Sequence, residues 1–369
     1  MKKIVISGVN LFEGGPLSVY KDCLDSIIEL GMHKKNSITI FVNKRDLFID
    51  YMDKFEIIEL PKSRRNYAYR IWYEYVYFYL YSYGKNIDVW LSLHDITPNV
   101  ISKKRYVYCH NTMPFYKMNK FESKLAPKLK IFNLLYKYFY KINIHKNTLV
   151  IVQQDWIRKR FANEFKINNV IVAHPDTKSL ISQINKESTL LNNDSYDNKK
   201  HCFFYPSFPR VFKNFEVICE AVDILVKRGI YNFEVVLTLD GTENKYSKFI
   251  YEKYCSINNI KFVGLLNREQ VFSYYNKSDY LIFPSKLESW GLPITEYKFF
   301  EKPILVAQVD YAKETIGEYD KIYFFDPSDA EILADILENV IKETIIWQKY
   351  NSSFTPDTES WGELMQLLV

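Results

Sequence analysis

The chain has 369 residues, with 49 Lys and Arg against 44 Asp and Glu for a formal net charge of +5, and it is 25% charged and 47% hydrophobic. That length suits two domains with separate cores, and that balance excludes an intrinsically disordered chain. Only 11 glycines stand against 30 tyrosines and 26 phenylalanines, which excludes collagen-like and glycine-rich linker architectures.

Ile4–Ser7 is a short β-rich run ending at Gly8, followed by Gly14-Gly15-Pro16 and by apolar residues at helical spacing over Leu17–Leu30. The pattern predicts strand, glycine turn, helix. Further β-like runs follow at Ser37–Asn43, Phe55–Leu60, Val89–Ser92, Tyr106–Cys109 and Thr148–Val152. Thr177–Lys200 is polar and aperiodic, and reads as a linker. Alternation then restarts, with strands predicted at His201–Tyr205, Phe233–Leu239, Ile260–Val263, Tyr280–Pro284, Pro303–Ala307 and Ile322–Phe325. Helices are predicted between them at Phe215–Arg228, Lys245–Tyr254, Arg268–Asn276, Pro293–Phe300 and Ala330–Lys342, and in the tail from Trp361 to Val369.

Strands alternating with helices imply α/β architecture with parallel sheets. The expected organisation is a domain over 1–176 completed by a C-terminal helix within 353–369, a linker over 177–200, and a second domain over 201–352. Two doubly wound domains place ligands in a central cleft facing the carboxyl ends of both sheets. The five cysteines (Cys23, Cys109, Cys202, Cys219, Cys255) are widely spaced and never C-x-x-C, which suggests neither a disulfide framework nor a zinc ribbon and fits a reducing cytoplasm. The N-terminus reads as a buried strand, not a signal peptide, and no apolar run is long enough to span a bilayer.

The most specific motif runs from Pro284 to Glu296. Glu288 and Gly291 fall on a loop after a strand, and Pro293 is placed as the first residue of a helix whose opening turn holds Glu296. Carboxylates eight residues apart, one on the loop and one on the helix, are able to grip two sugar rings; the plain alternative is a solvated loop acid and a helix-dipole acid. Upstream, Arg210 and Lys213 follow the strand His201–Tyr205 and flank a helix start. Cations there oppose the helix dipole and suit a diphosphate, Arg by bidentate contact and Lys as a point charge. In the first half, Gly14 and Gly15 lie after the first strand, and His94 and His110 both end later strands. Six of the glycines (Gly8, Gly14, Gly15, Gly241, Gly264, Gly291) fall at strand ends or in post-strand loops facing the expected cleft.

Glu288 and Glu296 resemble the E-x7-E pattern of retaining glycosyltransferases of the GT-B fold, the family 4 group, and Arg210 with Lys213 resembles that family's diphosphate-binding pair. The run Ile260–Glu296 is similar to the family along nearly its whole length. The resemblance implies two Rossmann-like domains, with the acceptor bound by the first and a nucleotide-sugar donor by the second. It implies that Glu296 binds the ribose hydroxyls and Glu288 approaches the donor sugar. Ser289, Gly291 and Leu292 would assist at the sugar or phosphate, Gly264 and Leu265 would line the base, and Arg210 and Lys213 would stabilise the leaving diphosphate. It selects His110, with Gly14 and Gly15, as the first domain's contribution near the donor sugar. Two departures stand out: the Arg-to-Lys spacing is three residues, shorter than is common in the family, and Trp290 stands where Phe or Tyr is usual.

No H-E-x-x-H, G-x-S-x-G or Asp-x-Asp motif occurs, so no metal and no cofactor beyond the nucleotide-sugar donor are expected. Between Lys117 and Lys146 stand eight lysines and one acid, Glu122, interleaved with apolar and aromatic residues; Arg64, Arg65 and Arg70 add to the charge. Such a segment reads as an interface with an anionic membrane or as a solvated helix face, with nucleic acid disfavoured because no motif accompanies the charge. The expectation is a hexosyl- or deoxyhexosyltransferase using a UDP- or GDP-linked donor. It would act on a lipid-linked O-antigen or capsule intermediate at the inner face of the bacterial cytoplasmic membrane. The rivals are a nucleotide-sugar epimerase of similar fold and a non-catalytic carbohydrate-binding assembly subunit.

Overall fold

The computed structural model describes residues 1–176 and 200–369, so the expected linker, apart from Lys200, lies outside the described residues. The described chain forms two compact units. Residues 1–115, 132–176 and 355–369 make the first, and residues 116–131 and 200–354 make the second. The division therefore differs from a single cut near 176, because 116–131 groups with the second unit.

The first unit is built on seven strands: β1 (Lys3–Ser7), β2 (Ser37–Val42), β3 (Glu56–Glu59), β4 (Ile87–Ser92), β5 (Ser102–Cys109), β6 (Leu149–Val152) and β7 (Val170–Val172). All pair in parallel, in the order β3-β2-β1-β4-β5-β6-β7. The central strands are apolar on both sides because helices cover both faces. On one face, the helix Gly14–Glu29 packs Tyr20, Leu24 and Ile27 against Ile4, Ile6 and Ile40, and the helix Trp361–Leu368 joins the same core through Trp361, Leu364 and Met365. The other face is aromatic. A helical run over 67–82, whose middle turn Tyr73–Tyr77 is π-helical, buries Tyr73 and Phe78 against Phe41 and Trp90, with Phe41 and Trp90 stacked at 5.8 Å. Gly8 has a packing reason: a Cβ there would lie 2.4 Å from the Tyr20 ring, whose hydroxyl donates across it to the carbonyls of Ile6 and Phe41. The absence of a Cβ is what lets the ring pass there.

The second unit repeats the plan with β8 (His201–Tyr205), β9 (Phe233–Leu237), β10 (Ile260–Phe262), β11 (Tyr280–Phe283), β12 (Ile304–Ala307), β13 (Glu318–Phe325) and β14 (Gln348–Asn351). The order is β10-β9-β8-β11-β12-β13-β14, parallel except for the antiparallel edge strand β14.

Several elements differ from the sequence expectation. The first helix begins at Gly14, not Leu17. β7, β14 and the helix Asp310–Ile316 were not anticipated, and β13 begins at Glu318 because it pairs outward with β14. β14 (Gln348-Lys349-Tyr350-Asn351) is a polar edge, held by backbone pairing without an apolar stripe to announce it.

Candidate functional site

In a doubly wound sheet the strand order reverses beside the first strand, and the loops leaving the two strands at that point diverge to leave room for a ligand. In the second unit those strands are β8 and β11, and the loops that follow them carry Arg210, Lys213 and Glu288.

After β8 the chain passes through Pro206–Arg210 and one turn of 3-10 helix, Val211–Lys213, to Asn214. Asn214 sits in the left-handed region at φ 60°, is buried, and donates its amide to the carbonyls of Pro284 (3.2 Å) and Pro327 (2.7 Å). Asparagine tolerates this conformation better than most side chains. The loop after β11 is tied to the same turn: the Lys286 N–H donates to the Phe212 carbonyl at 2.8 Å, and the Ser285 hydroxyl donates to the Leu287 carbonyl at 3.0 Å. The Tyr205 hydroxyl donates to the Lys213 carbonyl at 2.8 Å. These ties bring the Lys213 ammonium onto the Glu288 carboxylate, a pair only 17% and 13% exposed. Arg210 lies at the surface; desolvation draws its pKa below the usual value and the Glu288 charge opposes that shift. The guanidinium stays cationic at neutral pH.

Beyond Glu288, Ser289 is half-buried and Trp290 is a buried wedge, donating its indole N–H to the Thr295 hydroxyl at 2.9 Å. Gly291 turns the chain at φ 93° into the helix Leu292–Lys298. Pro293 is therefore the second helical residue, not the first. Glu296 is the fifth, beyond the opening turn, and it is buried. One of its oxygens accepts from the Tyr275 hydroxyl at 2.9 Å and the other pairs with Arg268 at 3.1 Å. Gly264 and Leu265 follow β10 at the sheet edge, Gly264 buried and Leu265 exposed.

Next to the Glu288 loop, Lys286 bridges two carboxylates, the buried Glu122 at 3.3 Å and the half-buried Glu216 at 3.4 Å. Glu122 also accepts from the Tyr116 hydroxyl at 2.7 Å, and Tyr246 donates to Glu216. Burial raises the Glu216 pKa, with Lys286 pulling against it. This network fastens residues 116–125 to the second unit.

In the first unit, the loops leaving β1 and β4 hold the corresponding position. Gly14 and Gly15 are exposed, and a Cβ at Gly15 would meet nothing. His94 is fully buried, with Nε2 bonded to the equally buried Glu74, so its role is internal. His110 follows β5 and is 17% exposed, its Nδ1 standing 3.8 Å from Asp95 Oδ1. Asp95 is the hub of this corner. Although φ is 73°, its carboxylate accepts from the backbone of His110 (2.8 Å) and Asn111 (3.0 Å) and from the hydroxyls of Tyr140 (3.0 Å) and Tyr136 (3.1 Å). Burial alone raises its pKa, but the His110 charge and the two N–H donors outweigh burial and hold it below the usual value. The carboxylate thus stays ionised and fixes the loop that carries His110.

Residues 185–354 match the family model described as glycosyl transferases group 1. That span, less than half of the chain, is similar to the domain of this family. Among solved structures it is similar to WaaG, a glycosyltransferase involved in lipopolysaccharide biosynthesis, with a TM-score of 0.62 at 15% identity over 92% of this chain and 90% of that one. It is also similar to sucrose-phosphate synthase from Thermosynechococcus elongatus, with a TM-score of 0.61 at 13% identity over 93% and 90%. A third is HepE of Anabaena in complex with UDP-glucose, with a TM-score of 0.54 at 14% identity over 93% and 91%. These likenesses show the fold, two Rossmann-like domains of the GT-B kind. A comparison with curated proteins by sequence finds no match.

Within the second unit the structure brings Arg210, Lys213 and Glu288 together, while Glu296 is held separately by Arg268 and Tyr275. Sequence reasoning missed those two partners, which lie 28 and 21 residues upstream of Glu296 in the helix Arg268–Lys277. It also missed Asn214 and Asp95; the available signal in each case was an Asx residue in the turn between a strand and the next element.

Proposed function

We propose that this protein is a retaining glycosyltransferase that moves a hexose or deoxyhexose from a UDP- or GDP-linked donor to a glycan acceptor, a lipid-linked intermediate of a bacterial surface polysaccharide. The observation that carries this reading is the Lys213–Glu288 pair with Arg210 beside it at the reversal point of a group 1 glycosyl transferase sheet. Lys213 and Arg210 hold the donor diphosphate and neutralise the charge that builds up as it leaves, so the positive charge comes from the chain itself and no metal is invoked. Glu288, released from Lys213 when phosphate takes its place, accepts from hydroxyls of the donor sugar, with Ser289, Gly291 and Leu292 alongside. Glu296 receives the ribose hydroxyls while Arg268 and Tyr275 hold its orientation, and Gly264 and Leu265 line the base. In the first unit Asp95 holds the loop of His110, the residue that the family resemblance assigns to the donor sugar with Gly14 and Gly15. Retention follows front-face attack, in which the acceptor hydroxyl passes its proton toward the leaving phosphate.

The acceptor is brought in by an anionic membrane surface acting on Lys117–Lys146. All eight of these lysines are exposed, and Leu134, Leu135 and Tyr138 stand out from the helix Pro127–Lys141 between them. Arg70, counted with this charge from sequence, is buried and donates to the His94 carbonyl, so it takes no part. Residence at the inner face of the cytoplasmic membrane belongs to the same reading.

Thermal unfolding in the presence of UDP, GDP and their sugars tests the donor, since a ligand of the native state raises the melting temperature. Product analysis then decides the reaction. Transfer to a lipid-linked glycan supports it; conversion of the sugar nucleotide without acceptor assigns an epimerase, and binding without turnover of either kind assigns a carbohydrate-binding subunit.

A further inference from the structure

Between Tyr67 and Tyr83 the sequence packs eight tyrosines, Trp72 and Phe78 into 17 residues. One side of the helical run is core: Tyr73, Glu74, Phe78 and Ser82 are buried. The opposite side should then be polar, yet Trp72, Val76, Tyr79, Leu80 and Tyr83 recur at helical spacing on it and are exposed, Leu80 by 62% and Tyr83 by 70%. A helix apolar all round is ordinarily covered by something. The same run meets the basic helix through residues outside this stripe. Arg70 reaches the Tyr136 hydroxyl at 3.4 Å, and a small cavity between the two helices is lined by Tyr67, Ile71, Glu74, Tyr136 and Phe139. Nearly half of the exposed large apolar side chains among the described residues fall in these two segments.

Charge selects the occupant. Lys62, Arg64 and Arg65 precede the run and Lys85 follows it, all exposed, while the only acid between 61 and 86 is the buried Glu74. Aromatic rings flanked by cations, with no exposed acid, suit the headgroup layer of an anionic bilayer. No described helix is long and apolar enough to cross a membrane. We propose that the outward stripe Trp72, Val76, Tyr79, Leu80 and Tyr83 is a second, apolar membrane anchor that lies in the bilayer interface beside the basic helix. The proposal rests on the reading that this protein docks on a membrane, and it assigns the insertion to residues outside Lys117–Lys146. The cations attract at a distance; the aromatic stripe holds once contact is made and charge is screened.

The test is flotation of the full chain with vesicles of phosphatidylglycerol and phosphatidylethanolamine at about 0.05 M and about 0.5 M salt, where screening shortens from more than about 10 Å to a few Å. Three proteins are compared: wild type, a triple variant Trp72→Ser, Leu80→Ser, Tyr83→Ser, and a triple variant Lys124→Gln, Lys128→Gln, Lys130→Gln. Circular dichroism checks folding, and exposed positions make its retention the expected result. The apolar variant should lose at least about tenfold of the high-salt partitioning, about 1.4 kcal/mol, while the lysine variant loses mainly low-salt binding. Brominated-lipid quenching of tryptophan emission should shrink in Trp72→Phe. Wild-type partitioning by the apolar variant at both salts overturns the proposal and leaves the basic-helix reading standing. Loss in the apolar variant alone supports the stripe and removes the lysines. Absence of wild-type binding removes both. Concentration-dependent dimerisation that disappears in the apolar variant, with vesicle binding unchanged, overturns the proposal and assigns the face to a second copy of the chain.

Discussion

The Lys213–Glu288 pair makes a sharp prediction because one residue of it is assigned to phosphate and the other to sugar. In the free protein the two satisfy each other, so a diphosphate has to displace Glu288 from Lys213. Glu288→Gln keeps the volume and removes the charge, so UDP or GDP, whichever binds, should bind as tightly as to wild type or up to about tenfold tighter, while sugar transfer falls by at least about a hundredfold. Lys213→Ala removes a charge-assisted contact of about 1.5–3 kcal/mol, which corresponds to roughly ten- to hundredfold weaker nucleotide binding. The pair itself, 17% and 13% exposed, lies between a solvated ion pair at about 0.2–1 kcal/mol and a fully buried one. A double-mutant cycle by urea unfolding should therefore give a coupling of about 1–2 kcal/mol. Isothermal titration with nucleotide and a radiolabelled transfer assay read both halves. A Gln variant that loses nucleotide affinity as strongly as Lys213→Ala, or a coupling below about 0.3 kcal/mol, would refute the reasoning.

Other substitutions probe the surrounding structure. Gly291→Ala should cost about 1–2 kcal/mol by urea unfolding, because φ 93° is strained for any side chain; a neutral result would show that the turn adapts. Tyr275→Phe should raise the KM for the nucleotide sugar with little change in kcat, since the hydroxyl only orients Glu296; an unchanged KM removes that role. Burial, reinforced by Asp25 and Asp176, raises the Asp22 pKa from 3.8 to about 7. Folding therefore takes up a proton, and the resulting stability is present below about pH 4 and fades as pH rises through about 7. Asp22→Asn should raise the melting temperature more at pH 8 than at pH 5, by about 2–4 °C, whereas equal shifts at both pH values would contradict it.

The strands were legible because central parallel strands must be apolar on both faces, and Ile4–Ser7, His201–Tyr205 and Tyr280–Phe283 are such runs. Lys213 and Glu288 were legible individually as residues after strands, but their meeting was not. It depends on the Phe212 carbonyl accepting from Lys286 and on the Asn214 amide reaching Pro284, contacts between segments about 70 residues apart. Charge alone misplaced Arg70, since a cation in a basic stretch looks solvated until its neighbours Glu74 and Tyr136 are seen to enclose it. The attachment of 116–131 to the second unit was equally hidden, because Glu122 read as one acid among eight lysines and is in fact the buried partner of Lys286. The abundance of tyrosine, unexplained by composition, finds a physical place in the run 67–83, where aromatic side chains face both inward and outward.

The helix Trp361–Leu368 closes the core over the helix Gly14–Glu29, and the Tyr106 hydroxyl donates to its Leu368 carbonyl. In chain order those residues come after every strand of the other sheet. Without that helix the first unit shows an uncovered apolar groove over Tyr20, Cys23 and Leu24, while the core of the second unit is complete. Excision of residues 355–369 would therefore open that groove while sparing the unit that carries Lys213 and Glu288.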